Sequence, residues 1–155
     1  MMFSPEAEKK IDELIAKYPQ KRSAMIPMLF IAQAERGYLS DEVMEYVGRR
    51  LGLTYLDVMT TASFYTMFYR QPIGRYNIQL CTSISCWLCG CDEIKKHLEK
   101  KLGIKVGATT PDGRFTLTEV ECLGSCGTGP AMQVNFDYHE NLTPQQVDEI
   151  LDKLP

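Results

Sequence analysis

The 155-residue chain has only two histidines and one tryptophan, and no cysteine before position 81. It lacks a basic excess: 17 Lys and Arg against 20 Asp and Glu leave a net charge of −3, which gives no support for nucleic-acid binding. No apolar run approaches the ~20 residues that span a bilayer, so direct membrane insertion is not expected. The start, Met1-Met2-Phe3-Ser4-Pro5-Glu6, has neither the basic nor the apolar region of a secretory signal. A cytosolic setting, or docking on something there, is the expectation. There is no internal repeat, no low-complexity tract and no Rossmann glycine fingerprint, so the chain is not expected to bind NAD or FMN unaided.

What is present is uneven. All six cysteines fall between Cys81 and Cys126, whereas seven of the eight methionines precede Cys81. In a reducing compartment, six cysteines point to metal binding or redox chemistry before structural disulfides. The shift in composition predicts two parts with a seam near Pro72-Ile73-Gly74: residues 1–72, helical, and 73–155.

The first part reads as a helical bundle. Ser4-Pro5-Glu6 is a helix start, and Ile11, Leu14, Ile15 and Tyr18 form its apolar stripe. Ser23 is expected to cap a second helix, with Pro27 in its first turn and Gly37 at its end. Ser40 opens a third helix that Gly52 stops, and Thr54-x-x-Asp57 is a capping box for a fourth. The run Ala62–Tyr69 is rich in Phe and Tyr; it reads as a helix end or an extended segment, and as a surface for the second part or for a partner.

The second part predicts the order β-α-β-β-β-α, making the whole α+β. Tyr76–Leu80 alternates as a strand and delivers Cys81. Asp92–Leu102 is a helix with Ile94, Leu98 and Leu102 inward. Phe115–Val120 is a strand that delivers Cys122. A glycine-rich loop, residues 123–130, precedes a hairpin of Met132–Val134 and Tyr138–Glu140. Thr143-Pro144-Gln145-Gln146 starts the last helix, which buries Val147, Ile150, Leu151 and Leu154.

The chemistry lies in Cys81-x4-Cys86 and Cys122-x3-Cys126. Two short-spaced thiol pairs, each expected in a loop after a strand, can converge at one end of a sheet and hold an iron–sulfur cluster or a zinc ion. Gly124, Gly127 and Gly129 are expected to admit positive φ and let backbone N–H groups approach sulfur. Two ferric ions, two sulfides and four thiolates would carry a net charge of about −2, and about −3 after one-electron reduction, charge that such wrapping would stabilise. Cys81-x4-Cys86-x2-Cys89 also fits the plant-type ferredoxin spacing. It ranks lower because Trp87 and Leu88 are bulky where that loop needs small residues, and it idles one of Cys122 and Cys126. A thioredoxin-type reading of Cys86-x-x-Cys89 ranks third. Cys89 and Cys91 are expected to be small, partly buried residues, and His97 and His139 to face solvent.

Phe64-Tyr65-Thr66-Met67-Phe68, Pro72-x-Gly74-x-Tyr76, Cys81-Thr82-x3-Cys86, Glu121-Cys122-Leu123-Gly124-x-Cys126 and Asn141-Leu142-Thr143-Pro144 together resemble the small thioredoxin-like [2Fe-2S] subunit of bacterial NADH:quinone oxidoreductase, respiratory complex I. The resemblance covers nearly the whole chain. It implies a thioredoxin-like ferredoxin domain at 73–155 and an N-terminal helical docking domain at 1–72. One [2Fe-2S] cluster would sit on Cys81, Cys86, Cys122 and Cys126. By the same resemblance the chain takes single electrons from FMN on a larger FMN- and NADH-binding iron–sulfur subunit, forms a heterodimer with it, and is inactive alone. It would lie on the cytoplasmic side, peripheral to the inner membrane through the complex. The equivalent diaphorase subunit of a soluble hydrogenase or formate dehydrogenase is the alternative. Cysteines at 89 and 91 depart from that family's pattern.

Overall fold

A computed structural model describes residues 2–155. The chain divides into two compact units, one ending at Pro72 and the other running Ile73–Pro155.

The first unit is four helices, α1 (Pro5–Ala16), α2 (Met25–Arg36), α3 (Asp41–Leu51) and α4 (Tyr55–Phe64). Capping residues set most of the boundaries. The side chains of Ser4, Ser40 and Thr54 accept from Ala7, Val43 and Asp57 N–H, and Gly37 and Gly52 end α2 and α3 in the left-handed region. Ser23 does not cap α2. It lies inside a 3₁₀ turn, Lys21–Ala24, that runs directly into the helix. The preceding turn already supplies the entry geometry, and Pro27 falls in the first turn of α2, where its missing N–H costs nothing. Ile11, Met28, Leu29, Val43, Val47 and Val58 form the centre of this core. On α1, Ile11 is buried, Leu14 and Ile15 are half-buried, and Tyr18 is exposed beyond the helix end. The aromatic run resolves into the end of α4 at Phe64 followed by a turn. Gln33 anchors that turn by donating to Met67 O at 2.9 Å and accepting from Tyr69 N at 2.7 Å.

The second unit is a mixed four-stranded sheet with helices. Its elements are β1 (Tyr76–Cys81), α5 (Ile84–Leu88), α6 (Cys91–Leu102), β2 (Phe115–Val120), β3 (Met132–Val134), β4 (Asp137–His139) and α7 (Pro144–Lys153), with strand order β2-β1-β3-β4. The expected order thus holds with one addition, α5. β1 and β2 are parallel and joined through α6; β3 runs antiparallel to β1, and β4 to β3. All six residues of β1 are buried, as the centre of a sheet requires. Ile78, Leu80, Leu117, Met132 and Val134 pack with Ile94 and Leu98 of α6 and Val147 and Leu151 of α7. Each such aliphatic side chain contributes about 1.5–3 kcal/mol on full burial. Ile150 on α7 and Leu154 just past its end are only half-buried. The hairpin is tighter than the pattern suggested: β4 starts at Asp137 and the loop is Asn135-Phe136. Asn135 has φ +54° and ties the loop to β1, its Oδ1 accepting from Asn77 N and its Nδ2 donating to Arg75 O.

Candidate metal centre

Strand direction brings the cysteines together. In the parallel register Cys81 pairs with Val120, so the carboxyl ends of β1 and β2 lie side by side. β3 begins at that same end, since Leu80 pairs with Met132 and Cys81 N donates to Ala131 O at 3.0 Å. Residues 121–131 must therefore run across the carboxyl end of β1, carrying Cys122 and Cys126 past Cys81. Sheet ends of this kind are where loops, not ladders, decide the chemistry.

The two pairs differ in setting. Cys81 and Cys86 are buried, at 1% and 0% exposure; Cys122 and Cys126 are exposed. Cys81 is the last residue of β1. Cys86 lies on the short helix α5 and not in a loop as expected. Ser83 precedes α5 without capping it, because its Oγ sits 3.5 Å from Cys81 Sγ. Burial raises the Cys81 pKa, but hydrogen bonds from Ser83, from Leu123 N–H and from the Cys86 thiol together outweigh it, so the net shift is downward. Cys86 is pushed up, first by burial and then by donating its thiol hydrogen bond to Cys81, while Ala131 N–H works against this. In the exposed pair the Sγ atoms are 3.9 Å apart, and Gly124 N–H donates to Cys122 Sγ at 3.3 Å. Cys126 is raised by hydrogen bonding to Cys122 and by its charge; the Ser85 hydroxyl lowers it, and the Cys81 thiolate adds to the rise. Leu123, Ala131 and Ser85 thus favour the thiolate forms of Cys81, Cys86 and Cys126 in turn.

The loop glycines act differently from one another. Only Gly124 has a positive φ, +81°; Gly127 and Gly129 do not. Gly129 instead provides close approach: a Cβ there would lie 3.3 Å from both Cα and Sγ of Cys86, and 3.6 Å from Cys89 Cβ. At Gly127 a Cβ would meet nothing within 4 Å.

Two thiolates on one tetrahedral ion with metal–sulfur bonds of about 2.3 Å lie about 3.8 Å apart. Cys122 and Cys126 fit that spacing as they stand. Among the described residues no three His, Cys, Asp or Glu side chains gather closely enough to hold one metal ion; the thiols stand as two pairs. Donor chemistry, N–H groups aimed at sulfur and a glycine cradle beside Cys86 all fit a thiolate-bound cluster.

The remaining cysteines separate. Cys89 is exposed, not partly buried, at the end of α5. Cys91 is buried with Cys81, Cys86 and Ala131, and its pKa is raised by burial and then by Asp92. His97 is partly buried and paired, Nε2 to Asp148 Oδ1 at 2.9 Å, instead of facing solvent; His139 is half-buried in β4. The serines flanking Cys86 give no signal in the sequence, since Ser83-x-Ser85 before a helix looks like an ordinary cap.

A mixed sheet flanked by helices, with four thiols over the carboxyl ends of its parallel strands, defines a thioredoxin-like iron–sulfur protein. The model of the thioredoxin-like [2Fe-2S] ferredoxin family matches residues 11–155, and the chain belongs to that family. It is 49% identical over 143 residues to an NADH-quinone oxidoreductase subunit of Rhizobium meliloti (strain 1021), covering 92% of this chain and 85% of that protein. The corresponding NADH-quinone oxidoreductase subunit of Rickettsia conorii (strain ATCC VR-613 / Malish 7) is 47% identical over 146 residues, covering 92% and 87%. Among solved structures, an NAD⁺-reducing [NiFe]-hydrogenase in the air-oxidised state superposes with TM-score 0.69 at 24% identity, covering 81% of this chain and 22% of that chain. That likeness speaks to the fold alone. Among the described residues no helix is long and apolar enough to cross a membrane.

Proposed function

We propose that this chain is the electron-transfer subunit of an NADH:quinone oxidoreductase and holds one [2Fe-2S] cluster on Cys81, Cys86, Cys122 and Cys126. The observation that carries the ligand assignment is the geometry of two thiol pairs, one at single-metal spacing, on segments that meet at the carboxyl ends of β1 and β2. Two pairs suit a binuclear centre better than a single zinc ion. The 45–49% identity to NADH-quinone oxidoreductase subunits over 92% of the chain supports the assembly, in preference to the diaphorase subunit of a soluble hydrogenase.

When bound, the cluster supplies storage for a single electron. The protein's part is to hold negative charge on sulfur. Gly124 N–H donates to Cys122 Sγ; Ser83 and Leu123 act to lower the pKa of Cys81, Ala131 that of Cys86 and Ser85 that of Cys126. Burial keeps water from Cys81 and Cys86. Electrons would come from FMN held, with the NADH site, on a larger partner subunit that the N-terminal helices help to clasp. The chain would lie peripheral to the membrane, on its cytoplasmic side, through that complex.

Anaerobically purified protein tests this. A reddish sample with an EPR signal only after reduction is expected, and colourless zinc-loaded protein would sink the reading. Cys126→Ser should lose or severely alter the signal and Cys89→Ser should leave it; the reverse pattern would assign Cys89 as the ligand. The chain alone should show no NADH:ferricyanide turnover.

A further inference from the structure

The loop that carries Cys122 and Cys126 is long, exposed and built of small residues, so something outside it must hold its shape. The segment from β4 to α7 crosses it. Tyr138 Oη donates to Leu123 O at 3.2 Å, Asn141 N to Thr128 O at 2.7 Å, and Leu142 N to Pro130 O at 3.1 Å. Asn141 reaches its position with φ +51°. Between these contacts lies one charged group. Glu140 Oε1 accepts from Thr128 Oγ1 at 2.7 Å, two residues beyond Cys126. Its pKa is lowered, by the Thr128 hydroxyl first and then by that of Ser125.

We infer that Glu140 is a positioning residue for the cluster: its carboxylate fixes the Cys122–Cys126 loop through Thr128, and its negative charge beside that loop disfavours reduction. The inference rests on the four-cysteine reading above and goes beyond it by assigning a role to a residue outside the cysteine motifs. The two effects have different chemistry and can be separated. A carboxamide oxygen still accepts the hydroxyl hydrogen bond but carries no charge; alanine does neither. Removing a negative charge near an anionic centre makes gaining an electron easier.

The test uses the full chain with its cluster, wild type beside Glu140→Gln and Glu140→Ala. Redox titration followed by EPR at low ionic strength should place both variants at a higher reduction potential than wild type. Iron release to a chelator should be several-fold faster for Glu140→Ala and close to wild type for Glu140→Gln. A purely structural role would move the release rates and leave the Glu140→Gln potential at the wild-type value. That potential, or a wild-type release rate for Glu140→Ala, overturns the assignment. Wild-type protein that takes up no cluster on reconstitution overturns the four-cysteine reading and this inference with it, and is told apart because it fails before any variant is made.

Discussion

Gly129 offers the sharpest test of how the buried half of the proposed site is held. An alanine Cβ there would stand 3.3 Å from Cys86 Cα and 3.3 Å from Cys86 Sγ. Ordinary carbon contacts optimise at about 3.5–4.0 Å, so the neighbours must give by a few tenths of an ångström. Cys86 is at 0% exposure and its Cα belongs to α5, which leaves little room to give. Overpacking of this kind costs about 1–3 kcal/mol; one methyl against a short helix belongs near the lower half of that range. For a unit the size of Ile73–Pro155, 1–2 kcal/mol lowers Tm by roughly 4–16 °C. Gly127→Ala is the control: its Cβ meets nothing within 4 Å and its φ is not left-handed, so its effect should stay within about 0.5 kcal/mol. The assay is anaerobic thermal unfolding of the loaded chain by circular dichroism, with the visible spectrum recorded alongside. Gly129→Ala should melt lower and show altered visible bands. Equal melting of the two variants, or a larger loss for Gly127→Ala, refutes the idea that close approach to Cys86 is why residue 129 is glycine.

Gly74→Ala should be worse, because its Cβ would fall 2.8 Å and 2.9 Å from backbone C and N of Phe115, which cannot step aside without opening the β1–β2 ladder; about 3 kcal/mol or more of stability should go, read as a lower urea midpoint. Asp148→Asn probes the tie between α6 and α7. The Asp148 carboxyl is held below its usual pKa, first by Lys101 and then by His97, so its contribution is complete above the unfolded carboxylate value of about 3.9 and is lost as pH falls through the lower folded value. Wild type should therefore exceed the variant in urea midpoint at pH 7 and converge on it below about pH 3; a gap that is the same at both pH values would show the charge to be irrelevant.

Elements announced by local chemistry were legible, and those decided by distant packing were not. Ser4, Ser40, Thr54 and Thr143 each mark a helix start because a side-chain oxygen satisfies an N–H three residues on, an event wholly contained in the local sequence. β1 and β2 were legible from alternation and their β-branched and aromatic residues. α5 was not: it is five residues long, its Ile84, Trp87 and Leu88 are exposed, and Ser83 is turned away to Cys81, so neither stripe nor cap announces it. Likewise the glycines of residues 124–129 look alike in sequence. Only the approach of α5, a tertiary event, separates Gly129 from Gly127.

Spacing alone put the four cysteines forward as a set, and the division within the proposed set was not legible. Spacing identifies thiols able to share a centre, but says nothing about what fixes each one. Cys81 belongs to the fully buried central strand, and Cys86, on α5, is packed against Gly129. Both positions are consequences of the core, and disturbing them must cost stability. Cys122 and Cys126 are exposed on a loop tied to the segment from β4 to α7 by hydrogen bonds at Leu123 and Thr128. Changes there can alter the centre with little effect on melting. Substitutions around Cys86 should therefore couple spectrum to stability, and substitutions around Cys126 should uncouple them, which is what the Gly129 and Glu140 variants measure from opposite sides.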